Sequence, residues 1–150
     1  MTIQTKRTNS TDKDFIELVK ELDAFLTIKN GESDDFYSQF NGLEDLHHVV
    51  VLYSNDEPIG CGAIKQFNST TVEVKRMYVS QKLQGKNLGV TILNALETWA
   101  NELGNERCVL ETGTMLPEAI RFYEKHNYQR IPNYGQYVGM PESICFEKKL

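Results

Sequence analysis

The stretch from Val72 to Leu103 limits what this chain can fold into. Val72 to Val79 reads V-E-V-K-R-M-Y-V, in which Val72, Val74, Tyr78 and Val79 are strand formers. Gly85 and Gly89 then mark a tight loop within S-Q-K-L-Q-G-K-N-L-G. Past it, Leu88, Ile92, Leu96, Trp99 and Leu103 recur at helical spacing, and Leu93 and Ala100 widen the stripe. Strand, glycine loop and helix in that order aim the free backbone N–H groups of a helix N-terminus at whatever lies above the loop. Such a place suits a phosphate or pyrophosphate. Lys86 adds a positive charge there, and Gly85 and Gly89 let a ligand approach the backbone.

The rest of the chain supplies a sheet around that unit. Thr2 to Arg7 reads as a weak first strand. Ser10, Thr11 and Asp12 offer N-caps to a helix whose apolar positions are Phe15, Leu18, Val19, Leu22, Phe25 and Leu26. Gly31 stops it, and Asp34 to Phe40 reads as a second short helix. Val49 to Tyr53 is a buried-type strand, N-D-E-P a turn, and Ile59 to Phe67 the next strand. Gly60 and Gly62 inside that strand predict a bulge or the close approach of another group. Asn68 to Thr70 closes a hairpin into the Val72 strand. Gly104 then caps the long helix, Arg107 to Glu111 is a strand, and Pro117 opens a helix that Asn127 ends near His126. Tyr128 to Ile131 and Ser143 to Lys148 read as closing strands. Hairpins before the loop and helix crossovers after it predict an α/β (α+β) fold with a central mixed, mostly antiparallel sheet flanked by helices.

Composition narrows the function classes. The 150 residues suit one domain, 1–150, with one core. A net charge of -5 argues against nucleic acid as a partner. Three cysteines, Cys61, Cys108 and Cys145, all lie in or beside apolar residues, which predicts reduced, buried thiols and a cytoplasmic protein. No base is placed by sequence to activate Cys61 as a nucleophile. The first residues, M-T-I-Q-T-K-R, lack the apolar core of a signal peptide, and no apolar run approaches the roughly 20 residues of a membrane span. His47 and His48 are adjacent and lack metal-ligand spacing, so no metal is expected. His126 falls at a helix end, where a positive charge is favourable.

Two motifs carry a resemblance. Q-G-K-N-L-G, Gln84 to Gly89, resembles the Q/R-x-x-G-x-G/A acetyl-CoA loop of the GNAT N-acetyltransferase superfamily. E-T-G-T-M-L-P-E-A-I-R-F-Y-E-K-H-N-Y, Glu111 to Tyr128, resembles that family's second signature. Asn87 stands where the family usually has its first glycine, and Asn tolerates left-handed backbone better than other non-glycine residues. Leu116 stands where many members carry an Asn. The resemblance implies the GNAT fold, in which the fourth and fifth strands, here 72–79 and 107–112, splay apart around the cofactor. It implies a cofactor site at Met77, Tyr78, Val79, Gln84, Gly85, Lys86, Asn87, Leu88 and Gly89. The main chain of Met77 and Val79 would meet the pantetheine arm and polarise the acetyl carbonyl. Lys86 would either meet the pyrophosphate or stay solvated, and Arg121 and Lys125 are candidates for the 3′-phosphate.

Acetyl transfer to an amine requires that the ammonium lose a proton, that the thioester carbonyl be polarised, and that the departing thiolate be stabilised. Glu73 is the candidate base, at the family's spacing before the loop; the alternatives are a solvated glutamate paired with Lys75 or a cross-strand lysine, with Glu111 or a water chain as base. Tyr123 is the candidate acid, set against a core aromatic on an amphipathic helix. Tyr134, Gln136 and Tyr137, with Asn133, are candidates for the acceptor site, and Glu32, Asp34 and Asp35 form either a solvated acidic loop or an acidic rim around that site. The expected activity is an acetyl-CoA-dependent N-acetyltransferase acting by direct transfer on a primary amine of a small molecule or amino acid. It would work without metal, nucleic acid or membrane, as a monomer or homodimer. The rivals are a protein lysine or N-terminal acetyltransferase and a non-catalytic acyl-CoA sensor.

Overall fold

The computed structural model describes residues 2–31 and 45–150. The expected short helix at 34–40 and the acidic residues Glu32, Asp34 and Asp35 lie outside the described residues. Among the described residues, seven strands form one sheet: β1 (Ile3–Thr8), β2 (His48–Ser54), β3 (Glu57–Asn68), β4 (Thr71–Val79), β5 (Arg107–Gly113), β6 (Gln129–Ile131) and β7 (Ser143–Lys149). Their order is β1-β2-β3-β4-β5-β7-β6. Every neighbouring pair is antiparallel except β4 with β5. Among the described residues, the helices that flank it are α1 (Lys13–Asn30), α2 (Leu88–Glu102) and α3 (Pro117–Lys125).

Of the three candidate caps, Asp12 starts α1. Its Oδ1 accepts from the N–H groups of Asp14 at 2.9 Å and Phe15 at 3.1 Å. Phe15, Leu18, Val19 and Leu22 of α1 then pack on Val49, Val51, Cys61 and Ala63. On the opposite face, Ile92, Leu93 and Leu96 of α2 pack on Val50, Leu52, Ile64 and Val74. Helices therefore cover both faces of β2, which is why V-V-V-L shows no polar alternation. All three cysteines are free and buried.

The glycines of β3 are explained by α2 and β4. A Cβ on Gly60 would lie 2.8 Å from the Tyr78 carbonyl oxygen and 2.9 Å from Ile92 Cδ1. One on Gly62 would lie 2.7 Å from Met77 Sδ and 2.8 Å from Leu96 Cδ1. Only a residue without a side chain lets the helix sit this close to the strand.

Two irregularities open the sheet. The β3–β4 register passes from Cys61–Tyr78 to Ala63–Lys75, so Arg76 and Met77 of β4 oppose the single residue Gly62. Arg76 takes a φ of 59° there, a left-handed backbone unusual for a long side chain. The second irregularity is that β4 and β5 pair only at Thr71–Arg107, Val72–Cys108 and Glu73–Val109. β4 continues to Val79 and β5 to Gly113 without further pairing, so the two strands part. Among the described residues, no helix is long and apolar enough to cross a membrane.

Candidate active site

The parting of β4 and β5 creates a cleft of about 530 Å³. Its walls are β4 from Glu73 to Val79, β5 from Glu111 to Gly113, the C-terminal half of α1, and the facing ends of α2 and α3. The expected cofactor positions Met77, Tyr78, Val79, Gln84, Gly85, Asn87, Leu88 and Gly89 all line it. Lys86 is exposed on the same loop but does not line the cleft.

The loop owes its shape to two left-handed residues, Gly85 at φ 83° and Asn87 at φ 61°. Asn thus does at 87 what the family's glycine would do. Gln84 Nε2 donates to the Val79 carbonyl at 3.0 Å, tying the loop to the end of β4. The first turn of α2, L-G-V-T, holds no acidic side chain, so its N–H groups and dipole face the cleft unopposed. A Cβ on Gly85 would meet no atom within 4 Å, so the backbone there is open to a ligand. The donor set fits an anionic group such as pyrophosphate. Gly89 differs from expectation: a Cβ there would meet the Phe122 ring at 3.3 Å. Its small size serves the packing of α2 on α3 as well as any ligand.

β4 turns its side chains both ways around the bulge. Met77 and Val79 point towards α2, where Met77 Sδ faces Gly62 and a Val79 methyl faces Gly60. Tyr78 points towards α1, and its hydroxyl donates to Glu21 Oε1 at 3.1 Å. Arg76 reaches the same helix, pairing with Asp23 Oδ1 at 2.8 Å. The sequence held no signal for Arg76, because a left-handed position is normally flagged by Gly or Asn.

Tyr123 belongs both to the core and to the cleft wall. Its ring packs edge-on against Phe122 and Tyr128, at 5.2 and 5.6 Å between centroids. Among the described residues its hydroxyl has no hydrogen-bond partner. Burial pushes its pKa up, so the phenol stays protonated at working pH.

The two candidate carboxylates lie on the α1 side of the cleft. Tyr134 donates its hydroxyl to Glu73 Oε2 at 2.6 Å, and Lys65 stands opposite Glu73 in the β3 register. Glu111 lies on β5 past the last paired rung. Burial raises its pKa to about 7; the charge of Glu73 adds to this, while a hydrogen bond from Ser143 and the charge of Lys75 oppose it. The sequence offered Lys75 only as a partner for Glu73 and gave Ser143 no role, because it cannot show what faces what across separate strands.

The other expected positions divide. Tyr137 lines the cleft, whereas Gln136 is exposed and does not. Asn133 Nδ2 donates to the carbonyls of Tyr137 and Met140, at 3.1 and 2.9 Å, and so fastens its own loop. Lys125 lines the cleft, and Arg121 does not. His126 packs edge-on to Phe122 at 4.8 Å, and burial with the nearby charges of Lys125 and Lys148 lowers its pKa. His126 stands at the C-cap of α3, the helix end where the sequence placed it. Burial pushes the Cys61 thiol up to about 12, so it is no nucleophile. Among the described residues, no group of three or more His, Cys, Asp or Glu side chains could hold a metal ion.

The acetyltransferase (GNAT) family model matches residues 15–128. The chain is 29% identical over 143 residues to an IAA acetyltransferase of Azospirillum brasilense, covering 90% of each. It is 31% identical over 115 residues to the N-acetyltransferase YsnE of Bacillus subtilis, covering 73% of this chain and 76% of that one. Among solved structures it is similar to a protein assigned as an acyl-CoA N-acyltransferase from Klebsiella pneumoniae, with TM-score 0.83 and 29% identity over 99% of this chain and 98% of that one. The PaiA N-acetyltransferase of Thermoplasma acidophilum, solved in complex with coenzyme A, shares the fold with TM-score 0.78 at 16% identity over 100% of each chain.

Proposed function

The chain belongs to the acetyltransferase (GNAT) family, and we propose that it moves an acetyl group from acetyl-CoA directly to the primary amine of a small molecule or amino acid. The observation that carries this reading is the cleft between β4 and β5. It joins an anion-binding loop at one end to two carboxylates, Glu73 and Glu111, at the other.

Acetyl-CoA, when bound, supplies the activated acyl group and a thiolate leaving group. Gly85, Asn87 and the N-terminus of α2 would hold its pyrophosphate, with Lys86 adding charge from outside the cleft wall. The end of β4–β5 pairing at Glu73 leaves the β5 edge of β4 open for the pantetheine arm, and the bulge at Arg76 and Met77 would change the aim of its main-chain groups there.

At the other end the acceptor arrives as an ammonium. One proton passes to the carboxylate pair and on to solvent. The nitrogen then attacks, the C–N bond forms and the C–S bond breaks. Tyr123 gives its proton to the sulfur, and the second proton lost from nitrogen restores the phenol. No side chain of the protein becomes acylated. Tyr137 would wall the acceptor, while Tyr134, which does not line the cleft, would act through its bond to Glu73. The test is free-thiol release from acetyl-CoA across a panel of alkylamines and amino acids. Release with at least one amine, matched by the N-acetyl product, supports the reading; release with none overturns it.

A further inference from the structure

Two carboxylates share the acceptor end, and their surroundings differ. Glu73 sits on the last rung at which β4 and β5 still pair, opposite Val109. One of its oxygens is already taken by the Tyr134 hydroxyl at 2.6 Å. Glu111 stands two residues further along β5, level with Lys75 and one residue short of the bulge at Arg76. The strands have parted there, and its carboxyl lines the opening between them.

We propose that Glu111 is the proton acceptor for the incoming ammonium, and that Glu73, held by Tyr134, is its electrostatic partner rather than the base. This rests on the acetyltransferase reading above and divides the labour within the same site.

Three arguments lead to Glu111. The first is position: the amine must reach the acyl carbon where β4 exposes its main chain, at and beyond the bulge, and Glu111 lies nearer that level than Glu73. The second is orientation: the Tyr134 hydroxyl at 2.6 Å fastens Glu73 to the loop that carries Tyr134, on the rung where the strands are still paired. The third is that an efficient base titrates near the working pH. Burial raises Glu111 to about 7, and the groups facing it explain why it stops there. Glu73 of β4 pushes it up; Lys75 of β4 and Ser143 of β7 hold it down. Tyr137 and Cys145 also face the pair, and burial keeps both neutral. From α1, Lys29 is the titratable side chain among the described residues that lines the cleft. Two like carboxylates in different surroundings is the pattern by which one remains charged while the other exchanges its proton.

The experiment compares wild type, E111Q, E73Q and Y134F with the best alkylamine and with a weakly basic aromatic amine that is neutral at pH 7. Coenzyme A affinity and thermal melts are recorded beside the kinetics. E111Q is expected to lower kcat/KM for the alkylamine about a hundredfold or more and to abolish the acidic limb of the pH profile. Its deficit with the neutral amine should be much smaller, because no proton has to leave before attack. E73Q should keep the limb and move it to lower pH, since a like charge has gone. Carbon-13 NMR of the carboxyl groups gives a reading that needs neither turnover nor the E111Q fold. A Glu111 midpoint near neutrality that falls in E73Q supports the proposal; a midpoint in the ordinary carboxylate range overturns it. E111Q with an intact limb, or with equal deficits for both amines, also overturns it while leaving the acetyltransferase reading in place. A wild type that acetylates no amine overturns both.

Discussion

Arg76 and Asp23 form a 2.8 Å ion pair that joins the bulge of β4 to the middle of α1. Both ends matter. The guanidinium side is buried and the carboxylate half-exposed, so the pair fixes the arginine more than the aspartate. Tyr78, two residues on, holds Glu21 of the same helix. β4 is thus braced against the helix that walls the cleft. A shift of α1 would be felt at the bulge.

Tyr123→Phe removes one hydroxyl that makes no hydrogen bond among the described residues. The ring stays packed on Phe122 and Tyr128. The melt should match wild type, because the hydroxyl's net contribution cannot exceed about 1 kcal/mol. Turnover should fall about a hundredfold, with coenzyme A affinity retained, if the phenol protonates the thiolate. Steady-state kinetics beside a thermal melt and calorimetry decides this; wild-type turnover would remove Tyr123 from the mechanism.

Lys86→Glu is a cleaner probe of the anion site than any change at Gly89, where a side chain would also press on Phe122. Lys86 is exposed, so the fold should be unaffected. Coenzyme A binding should weaken by up to about tenfold, or roughly 1.4 kcal/mol, at low ionic strength, and the loss should shrink as salt screens the charge. Calorimetry at two salt concentrations measures it.

Gly62→Ala should destabilise the fold by about 1–3 kcal/mol, because its methyl would overlap Met77 Sδ and the side chains of Leu96 and Ile92. Urea unfolding should show a lower midpoint with an unchanged slope. The displaced Met77 would also disturb the bulge, so turnover per folded molecule should fall.

The three cysteines should resist alkylation in the native protein at pH 8, since all are buried and the Cys61 thiol is pushed up to about 12. Cys61 also donates to the Arg76 carbonyl at 3.3 Å. Mass spectrometry after incubation with acetyl-CoA alone should find no acetyl group on the protein. An acetylated cysteine would end the direct-transfer reading.

Stability should carry the mark of Glu111. Its pKa is raised from 4.5 to about 7 in the folded chain, so the folded state binds more protons than the unfolded state between those values. Its contribution to stability is complete below pH 4.5 and lost as pH rises through 7. Glu111→Gln, neutral throughout, should match wild type at low pH and exceed its stability above pH 7. Urea midpoints collected from pH 4 to 9 would show the two curves separating across that window.

Much of this was legible from local chemistry. Asp12 as a cap, Asn87 as a left-handed residue and the strand–loop–helix order depend on neighbours a few residues away. What stayed hidden depends on distance along the chain. Gly60 and Gly62 announced a close approach, but only the packed helix reveals that Ile92 and Leu96 make it. Tyr134 and Glu73 meet across 61 residues, a contact no periodicity encodes. The alternation of V-E-V-K does break at K-R, where the bulge lies, but nothing in the residue type marks Arg76 as the one at φ 59°. The splay itself came from the resemblance, since pairing that stops after three rungs leaves no trace in β propensity.

Those three rungs also bear on how the molecule assembles. β2, β3 and β4 form a meander of adjacent hairpins whose loops close cheaply. β5, β7 and β6 form a second antiparallel group. Among the described residues, Thr71–Arg107, Val72–Cys108 and Glu73–Val109 are the ladder contacts that stitch one group to the other, and the whole of α2 must fold over before they can form. The seam is therefore a late event in folding and the first place for the sheet to breathe. Amide hydrogens along it should exchange faster than those at the centre of β2 and β3. The opening that admits a substrate begins at the same weakness that divides the protein into two halves.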